Sequence, residues 1–593
     1  MTYLIAIFVY LLVLTGISIY KSRQVKTQAD FALAGRSLSP WVMVCTMLAV
    51  WIGTGSIVGA AGQAYRDGLA AMILPAGTLI GMILLAMIAG KARRFEAYTV
   101  PEIIGTRFNR TARLLAVVAL ILAYMVIVSY QFNAGGMVLE VIVGKKEAVP
   151  IKADRVLTAD QLKKGYVVFT PAESWKGLTT VGVNAKDGSG WSGAAETFTI
   201  EVCSAGDVAA RVKAKGDAEN HIVVKSGGMA KIRLSGAESY KVASMPEGGK
   251  LVLSEPKLTA KTATIMAAVF VIAYTMLAGL MSLALTDVVT GIIITVSMFV
   301  AFPVLLYQAG GFSGMETAFA EMGDRGRHMQ FWGTYSYPTL INFLLPVFLL
   351  ILGDANQYQR IFASKNAKGA RTAVIMLIFI AMAIELLIIT CAWVSSSMIP
   401  DPENGRHVLI YAARHFMPDV LGVVFMVTVV GIIISTADSF LLVPATTFIK
   451  DVYLNHINPK ASEKRIVFIS RMMVLAFGII AWLISLAFAE STTVFQKALY
   501  AYTIYGAAIT PCLVAALFWK RATSWGAVAS IISGTAVTLI WGEVAAVKAS
   551  LPAFLSELDA VLPAITVSVL ALVVVSLMTP KQLEQKQKVV AEG

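Results

Sequence analysis

The stretch LAVWIGTGSIVGAAG, from Leu48 to Gly62, carries Gly53, Gly55 and Gly59 with the hydroxyls of Thr54 and Ser56 inside an otherwise apolar run. In hydrocarbon every backbone amide and carbonyl needs a partner, so such an interruption is tolerated only where it faces protein or a water-lined cavity. Two readings stand. The segment is a broken membrane helix whose unwound carbonyls coordinate a cation and whose free amides meet a substrate, or its glycines let helices pack closely.

The rest of the chain supplies the membrane. Of 593 residues 57% are hydrophobic and 14% charged, and the mean hydropathy is +0.73; soluble domains run at roughly 45–50% apolar and 25% charged. A crossing helix needs about 20 apolar residues, and thirteen stretches qualify: 2–20, 40–62, 70–92, 112–143, 263–280, 284–308, 333–353, 371–398, 419–443, 465–488, 494–519, 524–547 and 560–579. The first is not a signal peptide, because Lys21, Arg23 and Lys26 follow the apolar run instead of preceding it. The net charge of +13 is spread over short connections, not gathered as for nucleic acid. Basic residues favour cytoplasmic loops. That predicts an N-terminus outside, a C-terminus inside with Lys581, Lys586 and Lys588, and inner connections holding Lys91 to Arg113, Arg360 to Arg371, Lys460 to Arg465, and Lys520 with Arg521. Arg325, Arg327, Arg406 and Arg414 are exceptions on the outer side. The expected location is the cell (inner) membrane. Cys45, Cys203, Cys391 and Cys512 are scattered and suggest neither a disulfide framework nor a metal site.

Residues 145–261 break the pattern. They are polar and Gly-rich, with alternating stretches such as YVVFT (166–170), ETFTIEV (196–202) and KIRLSG (231–236) between turn signals. They predict a small all-β, sandwich-like extracytoplasmic domain between a first transmembrane part (1–144) and a second (262–593). VVFTPAESWKG, NAKDGSG and ETFTIEV resemble the second half of bacterial cadherin-like repeats, and SYKVASMPEGGKLVL resembles the first half, here in permuted order. The insert is either dispensable for transport or a docking site for an extracytoplasmic partner.

Four acids fall in membrane sequence: Asp287, Asp354, Glu385, and Asp438 in GIIISTADSFLLVPATTF (431–448). A charge at the bilayer centre costs roughly 2.5–3.5 kcal/mol on insertion scales, so such groups line pathways or pair. No Lys or Arg is expected near the middle of any span, which suggests a cation as the missing partner. For Asp287 and Asp354, interfacial solvation is an equal alternative. Glu385 reads as structural.

FALAGRSLSPW (31–41) leading into the interrupted span, YTMLAGLMSLALTDVVTG (274–291), GDANQYQRIFASKNAKGAR (353–371), and ISTADSFLL (434–442) followed by KDVY (450–453) together resemble the sodium:solute symporter family in order and spacing. The resemblance covers nearly all of the chain outside the insert. It implies an all-α, leucine-transporter-type core of two inverted five-helix repeats, about 40–308 and 333–519, with one helix before and two after. Interrupted helices in matching places, at the glycines of the second span and at Pro346 with Gly353 in the seventh, agree.

The family's sodium site, carried onto this chain, uses carbonyls of Ala49, Ile52 and Ile432 with hydroxyls of Ser435 and Thr436. A hard cation wants several oxygens, and adjacent Ser-Thr on one turn supplies two; alternatively the hydroxyls back-bond to their own helix. A second sodium site in some members maps onto Asp287, Asp438 and Ser439. The substrate pocket, by the same analogy, draws on Gly53, Thr54, Ser56, Thr78, Tyr130, Gln131, Asn342, Tyr502 and Thr503. The implied function is sodium-coupled symport of a small polar organic solute by alternating access, with Na+ as coupling ion; a membrane solute sensor or a proton-coupled symporter are alternatives. No GxxxxGK[ST] loop for a pump and no nucleophile–base pair for an enzyme is visible.

Overall fold

The computed structural model describes residues 2–143, most of 147–255, 260–323, 325–399, 407–487, 493–544, Pro552 and 556–580. The tail with Lys581, Lys586 and Lys588, and Arg406, lie outside the described residues. The chain forms two compact units, residues 1–138 with 264–593, and residues 139–263.

The first unit is helical. Among the described residues eleven helices are long and apolar enough to cross a membrane, and the pair Pro40–Trp51 (α2) and Gly55–Ile73 (α3), bent by 51°, makes a twelfth if counted as one span. All thirteen expected spans fall on helix, the fifth of them on the shorter apolar helix Lys261–Leu277. The other helices named below are α1 (Thr2–Ser22), α4 (Pro75–Arg94), α5 (Arg110–Val143), α6 (Ala260–Gln308), α7 (Tyr337–Gly353), α8 (Ala355–Ala363), α9 (Ala367–Ser396), α10 (Asp419–Thr447), α11 (Glu463–Ala487) and α12 (Val494–Phe518). Local chemistry sets their ends. The Ser39 hydroxyl caps α2 with Pro40 at the first helical position, Asn366 caps α9, and Thr493 with Gln496 forms a capping box on α12.

Breaks in these helices position the site. Between α2 and α3 the backbone leaves helical geometry at Ile52 (φ −75°, ψ 88°). Within α6 it turns at Gly279 (φ +65°), where any larger residue would meet Phe31 Cδ2 at 2.9 Å. The seventh expected span breaks at Asp354 (φ −56°, ψ 111°), not at Pro346, which stays inside α7. Asp354 then caps α8 by accepting the Asn356 amide at 3.0 Å. α10 runs on as a π-helical segment over Phe448–Ile457. α10 packs on α1, α2 and α8, and α12 on α7 and the π-helical turn Gly55–Ala60. Small residues permit the close approach: a methyl on Gly506 of α12 would lie 2.7 Å from Leu349 Cβ of α7.

The second unit is all β. Its strands are β1 (Glu147–Pro150), β2 (Val156–Thr158), β3 (Tyr166–Pro171), β4 (Gly177–Asp187), β5 (Gly190–Trp191), β6 (Glu196–Cys203), β7 (His221–Lys225), β8 (Ala230–Ile232), β9 (Ser239–Ser244) and β10 (Gly249–Glu255). One sheet has the order β1-β10-β3-β8, the other β2-β9-β4-β6-β7 with β5 on β4. Pairing is antiparallel except for β6 with β7. Inward residues of both sheets, Phe169, Leu251 and Ile232 from one and Val181, Ile200 and Val242 from the other, share one core. That is a sandwich.

Candidate cation and solute site

The break after Trp51 brings α2 against the middle of α10. Ser435 Oγ lies 3.4 Å and Thr436 Oγ1 3.3 Å from the Ala49 carbonyl oxygen. Neighbouring ligands around a hard cation with metal–oxygen distances of about 2.4 Å are roughly 3.4 Å apart in an octahedron, so each hydroxyl stands from the carbonyl oxygen at the spacing of adjacent ligands in such a shell. Gly53 is what lets α10 come this close, since a methyl there would lie 2.8 Å from Thr436 Cγ2. Ile52 directly follows α2 at the break, and Ile432 stands one turn before Ser435 and Thr436 on α10; both are fully buried.

The acids beside this face are not solvated at an interface: Asp287 is 0%, Asp354 1% and Asp438 1% exposed. Asp287 accepts from Ser435 Oγ at 2.5 Å and from Thr46 Oγ1. The absence of a base near them, expected from the sequence, is wrong. Arg360 of α8, assigned above to an inner connection, is fully buried, with Nη2 3.9 Å from Asp287 Oδ2. Its Nη2 donates to Ser439 Oγ at 2.6 Å, and Ser439 donates to Asp438 Oδ1 at 3.3 Å. Asp287, Asp438 and Ser439 do come together, but around a resident guanidinium. Asp354 is bonded separately, its Oδ1 accepting from the Asn356 amide and from Tyr124 Oη at 2.5 Å, while its buried Oδ2 has no hydrogen-bond partner.

On the other side of the break, Trp51, Gly55 and Ser56 line a cleft with Pro75 and Thr78 of α4, Val347 of α7, Glu385 of α9, and Phe495 and Tyr502 of α12; it encloses about 560 Å³, including space open to solvent. Glu385 is therefore a wall of the cleft, not a remote structural acid. Its Oε1 accepts from Trp51 Nε1 at 2.6 Å and from Thr78 Oγ1 at 3.3 Å. Of the expected pocket residues, Ser56, Thr78 and Tyr502 line the cleft. Tyr130 stands behind Tyr502, Oη to Oη 3.5 Å, and Thr54 donates to Gln131 next to the break. Two are elsewhere. Asn342 bonds the Glu557 carbonyl at 2.9 Å and the Asp559 amide at 2.8 Å, pinning a loop, and Thr503 back-bonds to Leu499 at 2.9 Å.

Comparison with known proteins decides the class. The sequence model of the sodium:solute symporter family matches residues 31–158 and 238–534. The chain belongs to the sodium:solute symporter family. Within it, the chain is 27% identical over 350 residues to the osmoregulated proline transporter OpuE of Bacillus subtilis, covering 58% of this chain and 68% of that protein. It is 28% identical over 351 residues to the high-affinity proline transporter PutP of the same organism, covering 57% and 70%. A solved structure of a Na+-coupled sialic acid symporter superposes with a TM-score of 0.66 at 14% identity, covering 98% of this chain and 99% of that one; it shares the fold. The protein is thus a multi-pass membrane symporter that uses sodium as coupling ion for a small-molecule solute, and is not an enzyme.

For a sodium:solute symporter, the residues that sequence reasoning missed are Trp51, Glu385 and Arg360. Trp51 ends the helix directly before the quoted glycines and is the residue that ties the break to Glu385. Arg360 had a signal in the amphipathic run ANQYQRIFA, whose polar face a solvent-side reading assigns to water although the whole helix is buried.

Proposed function

We propose that this symporter takes up a small polar organic solute through the cleft between Trp51, Ser56, Thr78, Glu385, Phe495 and Tyr502, driven by one sodium ion held by Ala49, Ile52, Ile432, Ser435 and Thr436. One observation carries the reading: the break between α2 and α3 touches both places. Ala49 and Gly53 face Ser435 and Thr436, and Trp51, Gly55 and Ser56 face the cleft. Sodium that orders the break lowers the cost of ordering it for solute, and by linkage solute must tighten sodium equally.

The other half of the cycle needs a closed inner side. Tyr505, one turn beyond Tyr502 on α12, donates to the Gly353 carbonyl at 2.8 Å and accepts the Ala355 amide at 3.1 Å. Its ring lies 5.5 Å from that of Tyr124. These buried aromatics pack against the α7–α8 break. Exchange of this seal for an opening on the same side is the alternating step.

The reading sets the N-terminus and residues 145–261 outside a cell membrane and the C-terminus inside. Its support is that basic residues of successive expected inner connections meet one another's loops. Arg93 donates to the Ser364 carbonyl at 2.8 Å, Arg107 to the Lys520 carbonyl at 3.0 Å, and Arg113 pairs with Asp451 at 2.5 Å. With Arg360 bonded to Ser439 and beside Asp287, the region of the expected second sodium already holds a positive charge, which favours one sodium per cycle over two.

The test is reciprocity. Radioactive sodium binding to the purified protein, with and without a solute found by uptake screening, is expected to tighten by the same factor as the solute does with sodium. Replacing Ser435 and Thr436 together by Ala is expected to abolish the effect in both directions; sodium dependence unchanged in that double variant would remove this site from the account.

A further inference from the structure

Among the described residues, Glu385 is the one charged side chain lining the cleft, and the sodium mechanism does not use it. It is 8% exposed. Oε1 has two neutral donors, Trp51 Nε1 and Thr78 Oγ1, while the buried Oε2 has no hydrogen-bond partner. No Lys or Arg among the described residues comes within ion-pair distance of it. Two other buried acids of this unit have a guanidinium: Asp287 has Arg360 at 3.9 Å and Asp451 has Arg113 at 2.5 Å. A carboxylate taken out of water with one oxygen unpaired is costly unless a partner arrives.

The cleft describes that partner. Trp51, Phe495 and Tyr502 share the space with Glu385, and aromatic faces attract cations. The free acceptor at Oε2 calls for an N–H donor, which a quaternary ammonium lacks. We propose that Glu385 is the counter-ion for a protonated primary or secondary amine of the transported solute. The inference rests on the cleft being the solute site and adds the substrate's chemical class. The ammonium supplies the positive charge that the protein withholds, and Trp51, held by its bond to Oε1, keeps the carboxylate turned toward it. Sodium, on the far side of the break, keeps its own oxygens, so the two cations do not compete for Glu385.

The experiment uses the full-length protein in proteoliposomes under an inward sodium gradient. The probes are a series of primary and secondary amines, including L-proline and L-alanine. Each is set beside its oxygen analogue (tetrahydrofuran-2-carboxylate, lactate) and its fully N-methylated form (N,N-dimethylproline, N,N,N-trimethylalanine). Uptake is expected for protonated amines alone. Glu385→Gln keeps an acceptor for Trp51 and is expected to raise the half-saturating concentration of the transported amine roughly 10- to 100-fold, the size of a lost charge-assisted hydrogen bond. Glu385→Asp is expected to recover part of the loss. Sodium binding measured without solute is expected to be unchanged in both variants, which also reports that they fold. Sodium-driven uptake of an oxygen or N-methylated analogue as good as the amine overturns the proposal. So does uptake of no amine by a protein that binds sodium, a Glu385→Gln variant with wild-type half-saturation, or one that loses only its response to proton concentration. Absence of sodium binding in the wild type would instead refute the symport reading itself, and the amine inference with it.

Discussion

The hydroxyl of Thr436 is the one proposed sodium ligand that can be removed without reshaping the site. Thr436→Val keeps the branched side chain and the Cγ2 methyl that faces Gly53, so the helix and its close contact survive. What is lost is one oxygen. Its hydrogen bond to the Ala49 carbonyl is long, 3.3 Å, and its loss costs under about 1 kcal/mol of stability. The loss to bound sodium is larger, because a polar group facing a full charge contributes about 1.5–3 kcal/mol. At about 1.4 kcal/mol per decade the half-saturating sodium concentration is expected to rise roughly 10- to 100-fold. Ser435→Ala is a poorer probe, since it also takes from Asp287 the donor at 2.5 Å. The measurements are radioactive sodium binding to purified protein and the sodium dependence of uptake. Thr428→Val serves as control: Thr428 is about two turns away on α10 and bonded to Ser297 at 2.9 Å. An unchanged half-saturating concentration in Thr436→Val, with protein that stays monodisperse, refutes the assignment of sodium to this face.

Four further outcomes are expected. Gly55→Ala would put a methyl 2.9 Å from Tyr502 Oη, so the KM for solute should rise while sodium binding measured without solute stays as it was; a sodium defect of equal size would show that the two places are not separate. Sodium uptake curves of the wild type should give a Hill coefficient near one, unchanged by Asp438→Asn, because Arg360 already supplies the positive charge among Asp287, Asp438 and Ser439. A coefficient near two that falls to one in that variant would assign a second sodium there. Replacing residues 146–259 by a short Gly/Ser linker should leave transport intact, since residues 139–263 form a unit with its own core. Likewise Phe169→Ala, at a fully buried position of that core, should cost the β unit about 3–5 kcal/mol without lowering uptake; inactive but correctly inserted protein would give the insert a role in capture or gating.

What could be read from the sequence is what chain-local physics dictates. Hydropathy placed every span on a helix because a bilayer leaves the backbone no other economical choice. Alternation and turn residues marked out the β unit, and the glycines of Leu48–Gly62 marked the break that the backbone makes after Trp51. The pairing of that break with Ser435 and Thr436 came from the family resemblance that four motifs carry, and in the structure the two hydroxyls lie 3.4 and 3.3 Å from the Ala49 carbonyl. Tertiary structure decided the partners. Arg360 looked like a loop charge because sequence shows its polar neighbours but not that α8 packs on α2 and α10. Glu385 looked isolated because its donors, Trp51 and Thr78, are some three hundred residues away along the chain. Asn342 had the right residue type at the right depth for a pocket, yet its side chain is spent on the Glu557–Asp559 loop. A carboxylate's role depends on which charge sits within a few ångströms, and that distance is set by packing between distant segments, which no local pattern encodes.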